Sequence, residues 1–140
     1  MSKVAVVYWS GTGNTEAMAE AAAEGAKAAG AEVDVITAGD FSAAKAEAYS
    51  GIAFGCPAMG AEVLEETEFQ PMWDDVKGHL SGKKIALFGS WGWGDGAWME
   101  SWKEDAENAG ASLVCDSVIC CEAPDDDVKE EMKKLGAAVA

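Results

Sequence analysis

The chain has 140 residues, of which 25 are acidic and 10 basic, so its formal charge at pH 7 is −15. All ten basic residues are lysine, and His79 is the single histidine. These counts argue against binding to a nucleic-acid backbone or an anionic membrane, which needs cationic side chains, and against a multi-histidine metal site. We therefore expect no nucleic acid, no membrane and no metal as a partner, and a basic patch on another protein as the complement of this charge.

The length matches the commonest size of a single domain, which we expect to span residues 1–140. Hydrophobic residues make up 49% of the chain, as in ordinary folded proteins. The early apolar run at residues 4–9 is far too short to span a bilayer, and no secretory signal is evident. The cysteines have neither C-x-x-C nor zinc spacing, so we expect reduced thiols in a cytoplasmic protein. They are Cys56, Cys115, Cys120 and Cys121.

Five apolar, β-branched segments predict strands, and a helical pattern follows each of them. The predicted strands are residues 3–9, 32–37, 51–55, 84–89 and 112–121, and the predicted helices are residues 16–29, 42–49, 71–80, 97–109 and a last one from near Pro124. Strands that alternate with helices imply a parallel sheet with helices on both faces, a doubly wound α/β fold. Ligands of such sheets bind beyond the carboxyl ends of the strands, so the loops after strands one, three and four are candidate sites.

The loop after the first strand carries two glycines and four hydroxyl or amide side chains, and it opens a helix. Its residues are Ser10, Gly11, Thr12, Gly13, Asn14 and Thr15. A helix N-terminus supplies free N–H donors and a positive dipole end, which together favour an anion. The loop lacks the lysine of triphosphate-binding loops, and Glu16 replaces the third glycine of the dinucleotide motif. A phosphate monoester held by neutral donors fits best, and a capped helix after a tight turn is the alternative.

Three segments together resemble the flavodoxins, and the resemblance covers nearly the whole chain. S-G-T-G-N-T at residues 10–15 is similar to their phosphate loop for flavin mononucleotide (FMN). C-P-A-M-G at residues 56–60, followed by Glu62, and S-W-G-W-G-D-G at residues 90–96 are similar to their two loops around the isoalloxazine ring. The length and an unbroken fifth strand resemble the short-chain, clostridial-type group. The resemblance implies a five-stranded parallel sheet in the order 2-1-3-4-5 and a non-covalently bound FMN.

The resemblance also implies which residues contact the cofactor. They are Ser10, Gly11, Thr12, Gly13, Asn14, Thr15, Pro57, Ala58, Met59, Gly60, Glu62, Ser90, Trp91, Gly92, Trp93 and Gly94. Trp93 would cover one face of the ring and Met59 would border the other, roles that suit an indole and a thioether. Glu62 would accept a hydrogen bond from flavin N3–H, and the backbone amides of Gly92 and Trp93 would bind the pyrimidine oxygens. For a single methionine or tryptophan in a loop, simple packing is the alternative interpretation.

The resemblance assigns redox tuning to the peptide that joins Gly60 and Ala61. In flavodoxins this peptide turns over on reduction, and its carbonyl then accepts a hydrogen bond from the newly protonated flavin N5. Glycine suits such a turn because it readily adopts positive φ. The contact stabilises the neutral semiquinone and separates the two electron steps. We therefore expect Gly60 to set the stability of the semiquinone.

The implied function is a low-potential electron carrier, not an enzyme, that passes electrons one at a time on the semiquinone/hydroquinone couple. The expected partners are redox proteins with basic docking patches, namely ferredoxin/flavodoxin reductases and oxidoreductases, and the carrier is expected to be a monomer. The alternative is an FMN-dependent NAD(P)H:quinone reductase of the same fold. That enzyme would need a second pocket and usually a basic patch for the nicotinamide phosphates, which a chain of this length without arginine does not favour.

Acidic residues cluster in two segments. Residues 61–76 contain Glu62, Glu65, Glu66, Glu68, Asp74 and Asp75 but no lysine, and four more acids, Glu122, Asp125, Asp126 and Asp127, follow the fifth strand. A solvated face is one interpretation of such a run. The other is functional, because a carboxylate about 10 Å from the ring opposes an added electron by about 0.4–1.7 kcal/mol at a dielectric constant of roughly 20–80. We expect these acids to lower the redox potential and to steer the protein onto basic partners.

Overall fold

The computed structural model of the chain describes residues 2–11, 13–59, 64–91 and 96–140. The strands are β1 (Lys3–Tyr8), β2 (Glu32–Thr37), β3 (Gly51–Gly55), β4 (Lys84–Trp91), β5 (Ser112–Leu113) and β6 (Val118–Cys121). The helices are α1 (Asn14–Ala28), α2 (Ala43–Ala46), α3 (Phe69–Val76), α4 (Ala97–Asn108) and α5 (Asp126–Val139), with single 3₁₀ turns at Ala38–Asp40 and Lys77–His79. None of the helices in these ranges is long and apolar enough to cross a bilayer.

All strands run parallel, in the order β2-β1-β3-β4-β5, and β6 continues the fifth position along β4. This arrangement confirms the predicted doubly wound α/β fold and its strand order. The order reverses between β1 and β3, because β2 lies on one side of β1 and the later strands lie on the other. A crevice therefore forms at the carboxyl ends of β1 and β3, where ligands of such sheets bind.

Both faces of the sheet are covered, because the strand residues alternate between two buried cores. On one face Val4, Val6 and Phe88 pack with α1 and α5. On the other face the alternate positions, among them Val7 and Phe54, pack with aromatic residues of α3 and α4. The central strand β3 is buried along its whole length, as expected of a parallel strand with helices on both sides.

The prediction of an unbroken fifth strand is wrong. Leu113 pairs with Ile85 and Val118 pairs with Phe88, so residues 86–87 of β4 are opposed by residues 114–117 of the edge strand. The edge strand thus has two more residues than its partner between the paired positions. Since β4 keeps its register with β3 over the same stretch, the extra residues interrupt the edge strand and leave the sheet intact.

The third helix begins at Phe69, two residues before the predicted start at Pro71. The Glu65 carboxylate accepts hydrogen bonds from the backbone N–H groups of Glu68 and Phe69, which starts the helix there. Pro71 lies within the first turn, where its missing N–H removes no helical bond. The helix then passes into the 3₁₀ turn Lys77–His79.

Candidate functional site

A pocket of about 440 Å³ lies at the carboxyl edge of the sheet. Its lining residues come from the start of α1 and from the segments that end β3, β4 and β6: Asn14, Pro57, Ala58, Ser90, Trp91, Glu122 and Ala123. Five of these residues belong to the predicted contact set, so the fold brings the three predicted loops together. Glu122 and Ala123 do not belong to it. They follow β6. Glu122 was expected only as one of the acids after the fifth strand, and Ala123 was not expected near the site.

The first-strand loop is shaped by two backbone features before α1 begins. Gly13 adopts φ +94°, a left-handed conformation that glycine takes without strain. Its N–H donates to Ser10 Oγ at 3.0 Å, which closes the loop on itself. The first helical bond runs from Ala17 N–H to the Gly13 carbonyl, so the N–H groups of residues 14–16 have no acceptor within the helix. This helix start therefore offers neutral donors and a positive dipole end to an anion.

Thr15 and Ser90 connect the helix start to the end of β4. Both are buried, and their hydroxyl oxygens are 3.5 Å apart. The Ser90 carbonyl also accepts a hydrogen bond from Ala58 N–H at 3.0 Å, which fixes the loop after β3. Ser90 is thus in direct contact with both neighbouring loops of the pocket and orients them relative to one another.

Cys56 closes β3 beneath the pocket as a structural residue. Its carbonyl accepts a hydrogen bond from Trp98 Nε1 at 3.2 Å, and its N–H donates to Phe88 O at 3.1 Å. A Cβ added at Gly89 would lie 2.1 Å from the Cys56 carbonyl oxygen, so only glycine allows this close approach of β3 and β4. Burial raises the pKa of the Cys56 thiol to about 12, which keeps it protonated and chemically inert.

Glu65 is buried, whereas the acids of its segment were expected to form a solvated face or to lower the redox potential of the cofactor. Only 4% of the residue is exposed, and its carboxylate accepts hydrogen bonds from Thr67 N–H and Oγ1–H and from the N–H groups of Glu68 and Phe69. Burial acts to raise the pKa of Glu65, but these donors outweigh it and lower the pKa to about 2. The Glu65 N–H in turn donates to Cys56 Sγ at 3.4 Å. Four other acids of the segment are exposed: Glu66, Glu68, Asp74 and Asp75.

Glu122 lines the pocket with an unusual backbone conformation. Its φ of +59° is the one positive value found at a non-glycine residue in the described ranges. Two contacts hold it there: its N–H donates to the Trp91 carbonyl at 2.7 Å, and its own carbonyl accepts from the Cys120 thiol at 3.4 Å. A strained residue held by specific contacts at a pocket is a common feature of functional sites. No periodicity or motif in the sequence indicated it.

Seven predicted site residues lie outside the described residues: Thr12, Gly60, Ala61, Glu62, Gly92, Trp93 and Gly94. Ring stacking by Trp93, the Glu62 contact and the turnover of the Gly60–Ala61 peptide therefore stay predictions. Met59 is described and half-buried, but it is not among the pocket-lining residues. Ser10, Gly11, Gly13 and Thr15 form or support the loop beside the pocket without lining it.

The chemistry of the pocket fits a phosphorylated cofactor with a flat ring. Neutral donors at the start of α1 suit the phosphate, and Asn14, Ser90 and Glu122 suit a hydroxylated linker. Trp91, Pro57 and Ala58 supply apolar walls. Fold and site together define an α/β domain that binds a mononucleotide-type cofactor where the strand order reverses.

Comparison with known proteins identifies the family. The family described as Flavodoxin matches residues 6–135. The flavodoxin of Megasphaera elsdenii is 44% identical over 98% of both chains, and that of Clostridium beijerinckii is 42% identical over 96% of this chain and 97% of the relative. The solution structure of two-electron reduced Megasphaera elsdenii flavodoxin superposes with a TM-score of 0.89 at 45% identity and covers 97% of both chains. The chain belongs to the flavodoxin family, whose members are FMN-binding electron-transfer proteins and not enzymes.

The quinone reductase alternative has much weaker support. An NAD(P)H dehydrogenase (quinone) of Cupriavidus metallidurans is 66% identical over only 35 residues, which is 25% of this chain and 18% of that protein. The flavodoxin relatives match along nearly the whole length of both chains. Family and function therefore rest on the full-length similarity.

Proposed function

We propose that the protein carries electrons on an FMN whose phosphate binds at residues 10–15 and whose ring lies between residues 57–60 and 90–94. One observation supports this placement above all: the pocket is lined by Asn14, at the start of α1, together with residues that follow β3 and end β4. No lysine lines the pocket within the described ranges, so neutral donors hold the phosphate. Ser10 and Asn14 bind the phosphate, whereas Ala58 and Trp91 lie against the ring. The bound FMN supplies the redox chemistry.

The placement is tested by comparing FMN with riboflavin, which lacks the phosphate. Replacing Ser10 by alanine removes the hydroxyl that accepts from Gly13 N–H, so the phosphate loop loses its closure. We expect Ser10→Ala to weaken FMN binding about tenfold or more and to leave riboflavin binding almost unchanged, since a hydrogen bond to a charged group contributes about 1.5–3 kcal/mol. Quenching of tryptophan fluorescence during titration of the apoprotein measures both dissociation constants.

Ser81→Ala is the matched control, because Ser81 is an exposed serine away from the pocket lining. It should bind both ligands as the parent protein does. An equal loss of affinity for FMN and riboflavin in Ser10→Ala would contradict the phosphate placement. Rapid NADPH oxidation by the purified protein with a quinone present would contradict the electron-carrier role itself.

The Gly60–Ala61 peptide is proposed to set the separation between the two one-electron potentials of the protein. Valine at position 60 disfavours the positive φ that the turn needs, so Gly60→Val should bring the two potentials closer together. Reductive titration followed by visible spectroscopy measures both potentials. Gly78→Val is the control, because the surroundings of Gly78 are open. Unchanged potentials in Gly60→Val would contradict this role.

The partners are proposed to be redox proteins with basic docking patches, such as ferredoxin/flavodoxin reductases and oxidoreductases. The charge of −15 supports such partners. So do the exposed acids of α3, Asp74 and Asp75, and the exposed acids that follow β6. The protein is further proposed to act as a single-domain monomer over residues 1–140 in the cytoplasm. The four free cysteines are compatible with a reducing compartment.

A further inference from the structure

One buried side chain contacts both ends of the segment that joins β3 to α3. The Cys56 thiol donates a hydrogen bond to the Pro57 carbonyl at 3.5 Å, and its Sγ accepts one from the Glu65 N–H at 3.4 Å. Cys56 is fully buried, so solvent does not reach the thiol. We name these two contacts the thiol bridge. The thiol bridge joins the two ends of the segment 57–64 through a single sulfur atom.

Each end of the thiol bridge is attached to the regular elements of the fold. On the β3 side, the Cys56 N–H donates to Phe88 O at 3.1 Å, and the Cys56 carbonyl accepts from Trp98 Nε1 at 3.2 Å. On the α3 side, the Glu65 carboxylate accepts from the N–H groups that begin the helix. Leu64, the last residue of the segment, is buried in the same core as Cys56. The segment thus starts and ends at points that the sheet and two helices fix.

The same segment supplies one wall of the pocket. Pro57 and Ala58 line the pocket, and the Ala58 N–H donates to the Ser90 carbonyl at 3.0 Å. The predicted ring contact Gly60 also belongs to the segment and lies outside the described residues. The proposed phosphate donors are on a different loop, at residues 10–15. The thiol bridge therefore acts on the side of the pocket that is proposed to receive the ring.

We propose that Cys56 is a positioning residue for the flavin ring: its thiol bridge holds the segment 57–64 in the arrangement that receives the ring. This inference rests on the proposed function and adds a residue that acts on the ring and not on the phosphate. A segment whose ends are joined has less conformational freedom to lose when a ligand binds, so the bridge favours binding by preorganisation. The bridge needs a protonated thiol, because the S–H donates to Pro57. Burial meets this need by raising the pKa of Cys56 to about 12.

The test compares the binding of FMN and riboflavin to apoprotein variants, measured by quenching of tryptophan fluorescence. Cys56→Ala and Cys56→Val both remove the donor and the acceptor, the first with a cavity and the second without one. Each should weaken both ligands by the same factor, about threefold to tenfold, since FMN and riboflavin share the ring. Cys56→Ser keeps a donor and an acceptor and should restore most of the affinity. Val76→Ala is the matched control: it truncates a side chain of the same buried core at the far end of α3, and it should bind both ligands as the parent does.

A second measurement separates positioning from a loss of core packing. The separation between the two one-electron potentials of the FMN-loaded protein should change in Cys56→Ala and Cys56→Val, because both alter the wall beside the ring. It should stay at the parent value in Val76→Ala, which loses core packing alone. Urea unfolding of each variant shows that it is folded under the conditions of the titration.

The expected pattern differs from that of Ser10→Ala, which should weaken FMN alone. The positioning role is overturned if Cys56→Ala and Cys56→Val bind riboflavin as tightly as the parent, if they weaken FMN alone, or if their potentials are unchanged. It is overturned too if Cys56→Ser loses as much affinity as Cys56→Ala, or if Val76→Ala shows the same loss. A parent apoprotein that binds neither flavin would reject the proposed function itself, and this role with it.

Discussion

At the scale of single residues, Glu65 shows how a negative charge is accommodated inside this protein. Four donors from the first turn of α3 and the residues before it converge on its carboxylate. Those donors would lose their acceptor if the carboxylate were protonated or replaced. Its N–H contact with Cys56 Sγ also joins the start of α3 to the end of β3. The residue therefore stabilises the fold next to the pocket, and only in its ionised form.

The lowered pKa of Glu65 makes part of the stability dependent on pH. Its pKa falls from an ordinary 4.5 to about 2 in the folded protein, so its contribution is complete above pH 4.5 and is lost as the pH falls towards 2. The difference corresponds to at most about 3 kcal/mol, which solvent screening reduces. We expect Glu65→Gln to lower the free energy of unfolding near pH 7 and to flatten its decline below pH 4.5, as measured by urea unfolding at several pH values.

Glu66→Gln provides the control for this experiment, because Glu66 is the neighbouring acid and is exposed. It should reproduce the pH profile of the parent protein. If Glu65→Gln loses stability as steeply as the parent between pH 4.5 and 2, the buried carboxylate is not the source of the effect.

The same residues mark how far the sequence predicts the site. The order of neighbouring residues was enough to predict the glycines and hydroxyl residues after β1 and the segments after β3 and β4. Each of these motifs consists of residues that are adjacent in the sequence. Glu65 was grouped with surface acids because nothing in a run of acids shows which one the fold buries. Glu122 was missed as a lining residue because it reaches the pocket through pairing of β6 with β4, which no local pattern reveals.

At the scale of elements, apolar runs and helical periodicity located the strands and helices, since burial on one or two faces dictates those patterns. The ends were less predictable where a distant group decides them. The start of α3 depends on the Glu65 carboxylate, four residues before Phe69. The fifth strand is split because it has two more residues than β4 between the paired positions. In the sequence, the apolar residues on both sides of the break form one continuous pattern, which predicts a single strand.

Helices α1 and α5 approach so closely that glycine is required on both. A Cβ on Gly136 of α5 would lie 1.9 Å from the Ala22 carbonyl oxygen of α1. A Cβ on Gly25 of α1 would lie 1.9 Å from the Lys133 carbonyl oxygen of α5. Because both obstructions are backbone atoms, no side-chain rearrangement relieves them, and the helices themselves must separate.

We expect Gly136→Ala to destabilise the protein by about 1–3 kcal/mol, even though alanine favours a helix over glycine by about 1 kcal/mol. The forced separation of α1 and α5 would open the core that they cover. Thermal unfolding followed by circular dichroism measures the loss. Gly78→Ala, placed where a Cβ meets nothing within 4 Å, should leave stability nearly unchanged. A Gly136→Ala variant as stable as the parent would show that the helices move apart without cost.

At the scale of the whole molecule, charge is distributed unevenly between the two ends of the sheet. Lys3, Lys83 and Lys84 lie where β1 and β4 begin, and Lys27 and Lys77 lie where α1 and α3 have run back to that same end. The pocket is at the opposite end, where its lining contains a glutamate and no lysine among the described residues. We expect the negative charge at the cofactor site to orient the protein before contact with a basic partner.

This polarity predicts a strong dependence of association on salt. The rate constant for reduction of cytochrome c should fall about tenfold or more as ionic strength rises from about 10 mM to about 1 M, because the Debye length shrinks from roughly 30 Å to 3 Å. Stopped-flow absorbance of the haem measures the rate. Reduction of a neutral quinone serves as the reference and should change little. Equal salt dependence for both acceptors would argue against electrostatic orientation.

The interruption of the edge strand at residues 114–117 has a consequence for how such a protein can diverge. The paired segments on its two sides each have their own register with β4, and neither register depends on the length of chain between them. Added residues would cost mainly loop entropy, about 0.6 kcal/mol for each doubling of loop length. The fold can therefore acquire an additional segment on this edge of the sheet while the cofactor pocket and the central strands are inherited unaltered.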